Sequence, residues 1–283
     1  MTIPRLSAHI SSFRYPDGTV ALEGIRMDIY RGEFCGILGG NGSGKTTLLK
    51  LLDGMIKDFD GMVCLDGDPM PRLSPRQIYR KMGLVFQNPD EQLFAQSVYE
   101  DVAFGPRNMG LDEDDVRQRV ARALSDVGLS DSVRKDIHHL SYGQKKRACI
   151  AGLLAMGHEI LLLDEPTAGL DPAGELRMME LLTSLNRESG VTIVMATHNV
   201  DLVPVHVGRL HILNRGGLVR SGTPEEIFGS GDIVSDVQLR LPYVAELFHQ
   251  LKCLDGLAVG TVPLTIGEAR RVIRELPGLR PAP

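Results

Sequence analysis

The chain has 283 residues, with 31 Lys and Arg against 36 Asp and Glu, for a formal net charge of −5. That acidic balance argues against a dedicated nucleic-acid binder, which needs a basic face, and the length suffices for a full core plus a small appendage. The apolar stretch Cys149–Gly157 falls far short of the about 20 residues needed to cross a bilayer, and the opening "MTIPRLSAHISS" lacks the apolar core of a signal peptide. A soluble, cytoplasmic chain with at most a peripheral membrane role is expected.

Taken in order, "SAHISSFRY" and "TVALEGIRMDIY" alternate or run apolar around the turn signal "PDG" and are expected as strands. "EFCGILGG" follows as a buried strand entering glycines, then "KTTLLKLLDGM" as an amphipathic helix that Gly54 stops. "GMVCLDG" and "KMGLVFQ" supply further short strands. Between residues 97 and 157 the pattern turns helical; Val116, Val120, Ala123, Leu124 and Val127 share one face, and Gly128 ends that helix. The acidic run "DEDD" before it suits a helix start by the macrodipole alone. "EILLLDE" and "GVTIVMATH" are strands on either side of a helix opened by Asp171-Pro172. The strand pair "GRLHILNRGGLVRSG", the short helix "TPEEIF", a small helical extension and a frayed tail "PGLRPAP" complete the chain. Strands alternating with helices imply a parallel sheet covered on both faces.

The four cysteines, Cys35, Cys64, Cys149 and Cys253, are scattered without a CxxC pair, so a reduced compartment is expected and neither a disulfide frame nor a zinc site is suggested. The histidines, His138, His139, His206 and His211 among them, lack supporting carboxylates or cysteines and are read as structural or solvated.

"GGNGSGKTT", Gly39 to Thr47, matches G-x-x-x-x-G-K-[ST] between a strand and a helix. Such a loop turns backbone N–H groups towards phosphate oxygens. Lys45 is suited to the β/γ-phosphates and the Thr46 hydroxyl to Mg²⁺. In "ILLLDEPTAGLD" four apolar residues deliver Asp164 and Glu165 to a strand's carboxyl end, where open α/β sheets bind ligands. Asp164 could hold the magnesium and Glu165 orient or deprotonate a water; a strand merely capped by two carboxylates is the plain alternative. His198, ending "VMATH", could contact a γ-phosphate. Lys145, Lys146 and Arg147, at the helix start in "HLSYGQKKRA", oppose the macrodipole. They are expected to tolerate that position because a polyanion docks there.

The ordered set "GGNGSGKTT", "FQN", "LSYGQKKR", "LLLDEPTAGLD" and "ATH" resembles an ATP-binding-cassette ATPase from Ile10 to about Gly222. The resemblance implies an α/β fold of the ABC-type P-loop NTPase kind: a RecA-like parallel sheet core with an N-terminal antiparallel β-subdomain and a helical subdomain. It sets an ATPase domain over 1–228, the helical part at about 88–157, and a small C-terminal extension over 229–283. It further implies two chains sandwiching two ATP molecules. Tyr15 would stack on adenine; Gly39, Asn41, Gly42, Ser43, Gly44, Lys45, Thr46 and Thr47 would bind the nucleotide; Thr46, Gln87 and Asp164 would hold Mg²⁺. Glu165, His198 and Gln87 would act in hydrolysis, while Ser141, Gly143 and Gln144 would grip the partner chain's ATP and Asp171 would lie in the loop crossing the dimer interface. Tyr142 departs from the family's usual glycine in LSGGQ.

"FQNPDEQLFAQSVYEDVAFGP" is similar to the ATPases of energy-coupling-factor (ECF) importers, which take up vitamins and transition-metal ions. This implies a homodimer or a paralogous ATPase pair on the cytoplasmic face of the cell membrane, docked on a transmembrane scaffold (T) protein with a substrate-binding membrane (S) subunit. Asp90 and Glu91 would meet scaffold arginines, and Leu93, Phe94 and Val98 would fill the docking groove or else be ordinary core. The tail "LPYVAELFHQLKCLDGL" and "PLTIGEARRVIREL" resembles the cobalt/nickel branch, with a vitamin importer as the alternative. A cassette ATPase acting on nucleic acid fits worse, since no heptad run separates Lys45 from Ser141.

Overall fold

The computed structural model describes residues 3–229, 237, 239–257 and 259–275; the tail "PGLRPAP" lies outside them. Two strands, β1 (Leu6–Arg14) and β2 (Val20–Ile29), form an antiparallel hairpin across the "PDG" turn. β3 (Phe34–Leu38) leads through the glycine-rich loop into α1 (Lys45–Asp53), which Gly54 stops in a left-handed conformation at φ 80°. β4 (Asp60–Leu65) and the two-residue β5 (Asp68–Pro69) extend the antiparallel part, and α2 (Pro75–Ile78) precedes β6 (Met82–Val85).

Three helices follow: α3 (Val98–Asn108), α4 (Glu113–Asp126) and α5 (Tyr142–Met156). The Asp112 side chain caps α4 by accepting from the Asp114 and Asp115 N–H groups, and Val116, Val120, Ala123 and Leu124 bury the predicted stripe. β7 (Ile160–Asp164), α6 (Pro172–Ser189), β8 (Thr192–Thr197), α7 (Val203–His206), β9 (Arg209–Asn214), β10 (Gly217–Gly222) and α8 (Pro224–Phe228) complete the main body. Helices Tyr243–Cys253 and Ile266–Glu275 lie beyond it.

One sheet runs β5-β4-β1-β2-β10-β9-β3-β8-β7-β6. β9, β3, β8, β7 and β6 pair in parallel, whereas β5, β4, β1 and β2 pair antiparallel. The parallel strands alternate between two apolar layers, as burial on both faces requires. Leu161, Leu163, Ile193 and Met195 join the layer under α3–α6. Ile160, Leu162, Val194 and Ala196 join the layer holding α1 and the β1–β2 hairpin. β3 lies inside the parallel set between β9 and β8, and its glycine loop leaves at the carboxyl ends of these strands, where such sheets take ligands.

Candidate nucleotide site

The glycine loop is built for close approach. A Cβ on Gly39 would lie 2.4 Å from Ser43 Oγ and 2.6 Å from the Leu213 carbonyl, and Gly44 has φ 102°. The Gly216 N–H donates to the Ser43 carbonyl at 3.0 Å, so the β9–β10 turn braces the loop from outside. Lys45 is buried, and its ammonium donates to the Gly39 and Gly40 carbonyls at 2.8 and 3.1 Å. Asn41 and Gly42 are exposed at the rim. Tyr15 sits edge-on to Phe13 and its hydroxyl meets the Thr47 hydroxyl at 2.9 Å, which puts the aromatic beside the first turn of α1.

Thr46 donates to Asp164 Oδ2 at 2.7 Å, bridging α1 and the end of β7. Burial raises the Asp164 carboxyl above its ordinary range, and its Oδ1 is buried without a hydrogen-bond partner. A hydroxyl beside a carboxylate with an unspent buried oxygen is the oxygen donor set that suits Mg²⁺. Gln87 is exposed, and its side chain makes no hydrogen bond to Thr46 or Asp164 among the described residues. Glu165 is buried at φ 47°, an uncommon conformation for a non-glycine residue. Its Oε1 lies 3.7 Å from Lys45 Nζ and 2.9 Å from His198 Nδ1. Lys45, Thr46, Asp164, Glu165 and His198 thus converge from α1 and the ends of β7 and β8.

Ser141 caps α5, accepting from the Gln144 N–H at 3.3 Å while Gln144 Oε1 accepts from the Ser141 N–H at 2.9 Å. Gly143 sits between them in the first turn. Asp171 likewise caps α6 by accepting from the Gly174 N–H at 2.6 Å.

The structure corrects one expectation and decides between the two readings left open for another. The basic start of α5 needs no docked polyanion: Lys145 pairs with Asp90 at 2.6 Å, Lys146 donates to the Glu165 carbonyl at 2.7 Å, and Arg147 donates to the Val127 and Gly128 carbonyls. Each cation is satisfied inside its own chain, and Asp90 is already paired. Leu93 and Val98 are core residues, 9% and 0% exposed, because they face the layer under α3. Phe94 does project outwards, 66% exposed, and stacks edge-on with Phe104 at 4.7 Å, a partner ten positions along that no local pattern announced. Glu91 accepts from the Asn88 amide of its own turn, at 3.3 Å.

The fold and the loop between β3 and α1 define a P-loop nucleotide-binding ATPase of cassette architecture. A family model described as ABC transporter matches residues 22–168, and the chain belongs to that family. It is 65% identical over 96% of its length, and 98% of the relative's, to a putative ABC transporter ATP-binding protein of Geobacter sulfurreducens. It is 47% identical to the energy-coupling factor transporter ATP-binding protein EcfA of Methanococcus maripaludis, covering 93% of this chain and 95% of that one. Among solved structures it resembles CbiO1 of Clostridium perfringens, described as part of the ABC transporter complex CbiONQ. That match has TM-score 0.76 and 43% identity, over 87% of this chain and 99% of that one. A dimeric cassette in a post-hydrolysis state with ADP and Pi matches at TM-score 0.68 and 27% identity, over 77% of this chain and 98% of its own. The protein is an ATP-hydrolysing subunit of the ABC transporter family.

Proposed function

We propose that the protein energises an ECF-type importer from the cytoplasmic face of the cell membrane, working as a pair of cassettes on a transmembrane scaffold, with cobalt or nickel ions as cargo. The observation that carries this is the convergence of Lys45, Thr46, Asp164, Glu165 and His198 at the loop between β3 and α1. The likeness to EcfA and CbiO1 gives it a transporter context. The cargo rests on the resemblance of the tail stretches 241–257 and 263–276 to the cobalt/nickel branch.

In this reading Lys45 leaves the Gly39 and Gly40 carbonyls for the β/γ-phosphates, and backbone N–H groups of residues 41–46 cradle them. Thr46 and Asp164, with Gln87 moving in, would hold Mg²⁺, which supplies neutralisation of phosphate charge. Glu165 accepts a proton from the attacking water as the water oxygen bonds the γ-phosphorus and the bond to the β–γ bridging oxygen breaks. His198, bonded to Glu165 Oε1, orients that carboxylate and contacts the γ-phosphate. Ser141 and the Gly143 N–H of the second chain complete the site, with Asp171 at the interface, and Tyr15 stacks on the base.

The test is Glu165→Gln. It should bind ATP with near wild-type affinity, lose turnover by about a hundredfold or more, and elute as a dimer with Mg-ATP. Purified with ATP from detergent-solubilised host membranes, it should bring down an integral scaffold protein and a small membrane subunit, with cobalt or nickel bound. A bound vitamin would move the cargo to the vitamin branch. Wild-type turnover would remove Glu165 from its role, and recovery of only soluble partners would sink the transport reading.

A further inference from the structure

Lys146 is 1% exposed, yet its ammonium meets a main-chain carbonyl and not a carboxylate. The carbonyl belongs to Glu165, which stands in the left-handed region at φ 47°. That conformation is unfavourable for a non-glycine residue and persists only where its surroundings over-determine it. Here both backbone groups of Glu165 are held: its N–H donates to the Ala196 carbonyl at 3.0 Å, and its carbonyl accepts from Lys146 at 2.7 Å and from the Ala168 N–H at 3.1 Å. The side chain that this backbone aims lies against Lys45 and His198.

One turn before Lys146, Tyr142 occupies the position where the resembling signature has glycine. Its ring lies 5.3 Å from the Lys146 ammonium, walling it off from one side. The same ring presses on the Gly169 backbone, where a Cβ would come within 2.9 Å of Tyr142 Cε1, and its hydroxyl donates to the Gln87 carbonyl at 3.3 Å. Two side chains of α5, spaced i and i+4, therefore touch the main chain of two separate segments, at residue 87 and along the 165–169 turn.

We propose that Lys146 is a positioning residue for ATP hydrolysis, locking the Glu165 main chain so that its carboxylate stays aimed into the site, with Tyr142 tying the lock to the segments at Gln87 and Gly169. The proposal rests on the reading of Glu165 as the residue that handles the attacking water. A buried cation serving only stability would give a different pattern of defects, because the lock acts on geometry in the hydrolytic step.

Lys146→Met keeps the stem and removes the donor; it should lower kcat by about tenfold or more while ATP KM stays within about threefold. Lys146→Gln, whose amide can donate to the same carbonyl, should recover most of that loss. Introduced into Glu165→Gln, the Met substitution should cost no more than about twofold further, because its route to catalysis has already been removed. Lys146→Leu, also donorless, replaces the Met variant if that chain does not fold. A Met or Leu variant within about twofold of wild-type kcat overturns the proposal, as does a loss that multiplies in the Glu165→Gln background or a Gln variant as slow as Met. Glu165→Gln turning over at the wild-type rate would instead overturn the reading beneath it, so the two failures are distinct.

Discussion

At the residue scale, two buried histidines, His158 and His211, make the stability of the fold depend on pH. Both are buried, with Nδ1 of His158 and Nε2 of His211 unpartnered, and burial lowers each from 6.5 to about 4. Between these values the unfolded chain binds protons that the folded chain refuses, so stability is intact above pH 6.5 and drains as pH falls towards 4. Each histidine contributes up to about 3 kcal/mol of that loss. Urea midpoints should fall steadily from pH 7 to 5, and the His158→Gln, His211→Gln double variant should show a shallower fall. Parallel slopes would show that the loss comes from elsewhere. The groups that converge at the loop between β3 and α1 were legible because they sit in contiguous motifs: the loop spacing names Lys45 and Thr46, and the apolar run "ILLL" delivers Asp164 and Glu165. Lys146 was not legible, since its partner is a main-chain carbonyl 19 residues away that only the tertiary fold brings near.

At the scale of elements, α3 and the segment before it form a built platform. Ser97 caps the helix, and Asp101 Oδ2 accepts from the Phe94 and Ala95 N–H groups at 3.0 Å each, fixing the turn that pushes the Phe94 ring outwards. The Phe94–Phe104 pair is an exposed apolar knuckle beside the Gln87 loop, which suits the proposed scaffold contact, since exposed aromatics anchor interfaces. Replacing both with serine should cut capture of the membrane scaffold by about tenfold or more, while thermal unfolding stays within about 3 °C of wild type because the rings bury little in the free chain. Undiminished capture would move the docking surface elsewhere. Period and alternation foretold most long elements here, but not β5, α2 or α7, which span two to four residues and hold no period to read. The same alternation could not tell Leu93 and Val98 from Phe94, because which side of a turn faces the core is decided by the helix that follows.

At the scale of the whole molecule, the C-terminal segment looked like an appendage because its apolar signal thins after Thr223. Its apolar residues nevertheless enter the main core: Val237, Leu239, Leu241, Ala245, Phe248, Val259, Val262 and Leu264 belong to the same buried layer as α3–α6. Polar ties reinforce the join, with Arg240 paired to Asp201, the Tyr243 N–H donating to Asp201 at 2.8 Å, and His249 bonded to the Phe228 carbonyl at 3.2 Å. Removing the C-terminal segment would uncover an apolar face, and each fully buried large side chain is worth about 1.5–3 kcal/mol. That stands against a total stability of about 5–15 kcal/mol. A chain ending at Gly229 should therefore melt at least about 10 °C lower than the full chain, at roughly 2–4 °C per kcal/mol for this size, and bind a hydrophobic dye in its native baseline. The two apolar layers predict where the damage goes: hydrogen exchange should quicken in α7 and α8, under the lost segment, and stay slow in α1 and the β1–β2 hairpin across the sheet. A truncated chain melting within about 3 °C of the full one would mean that the segment rides on a core already complete without it.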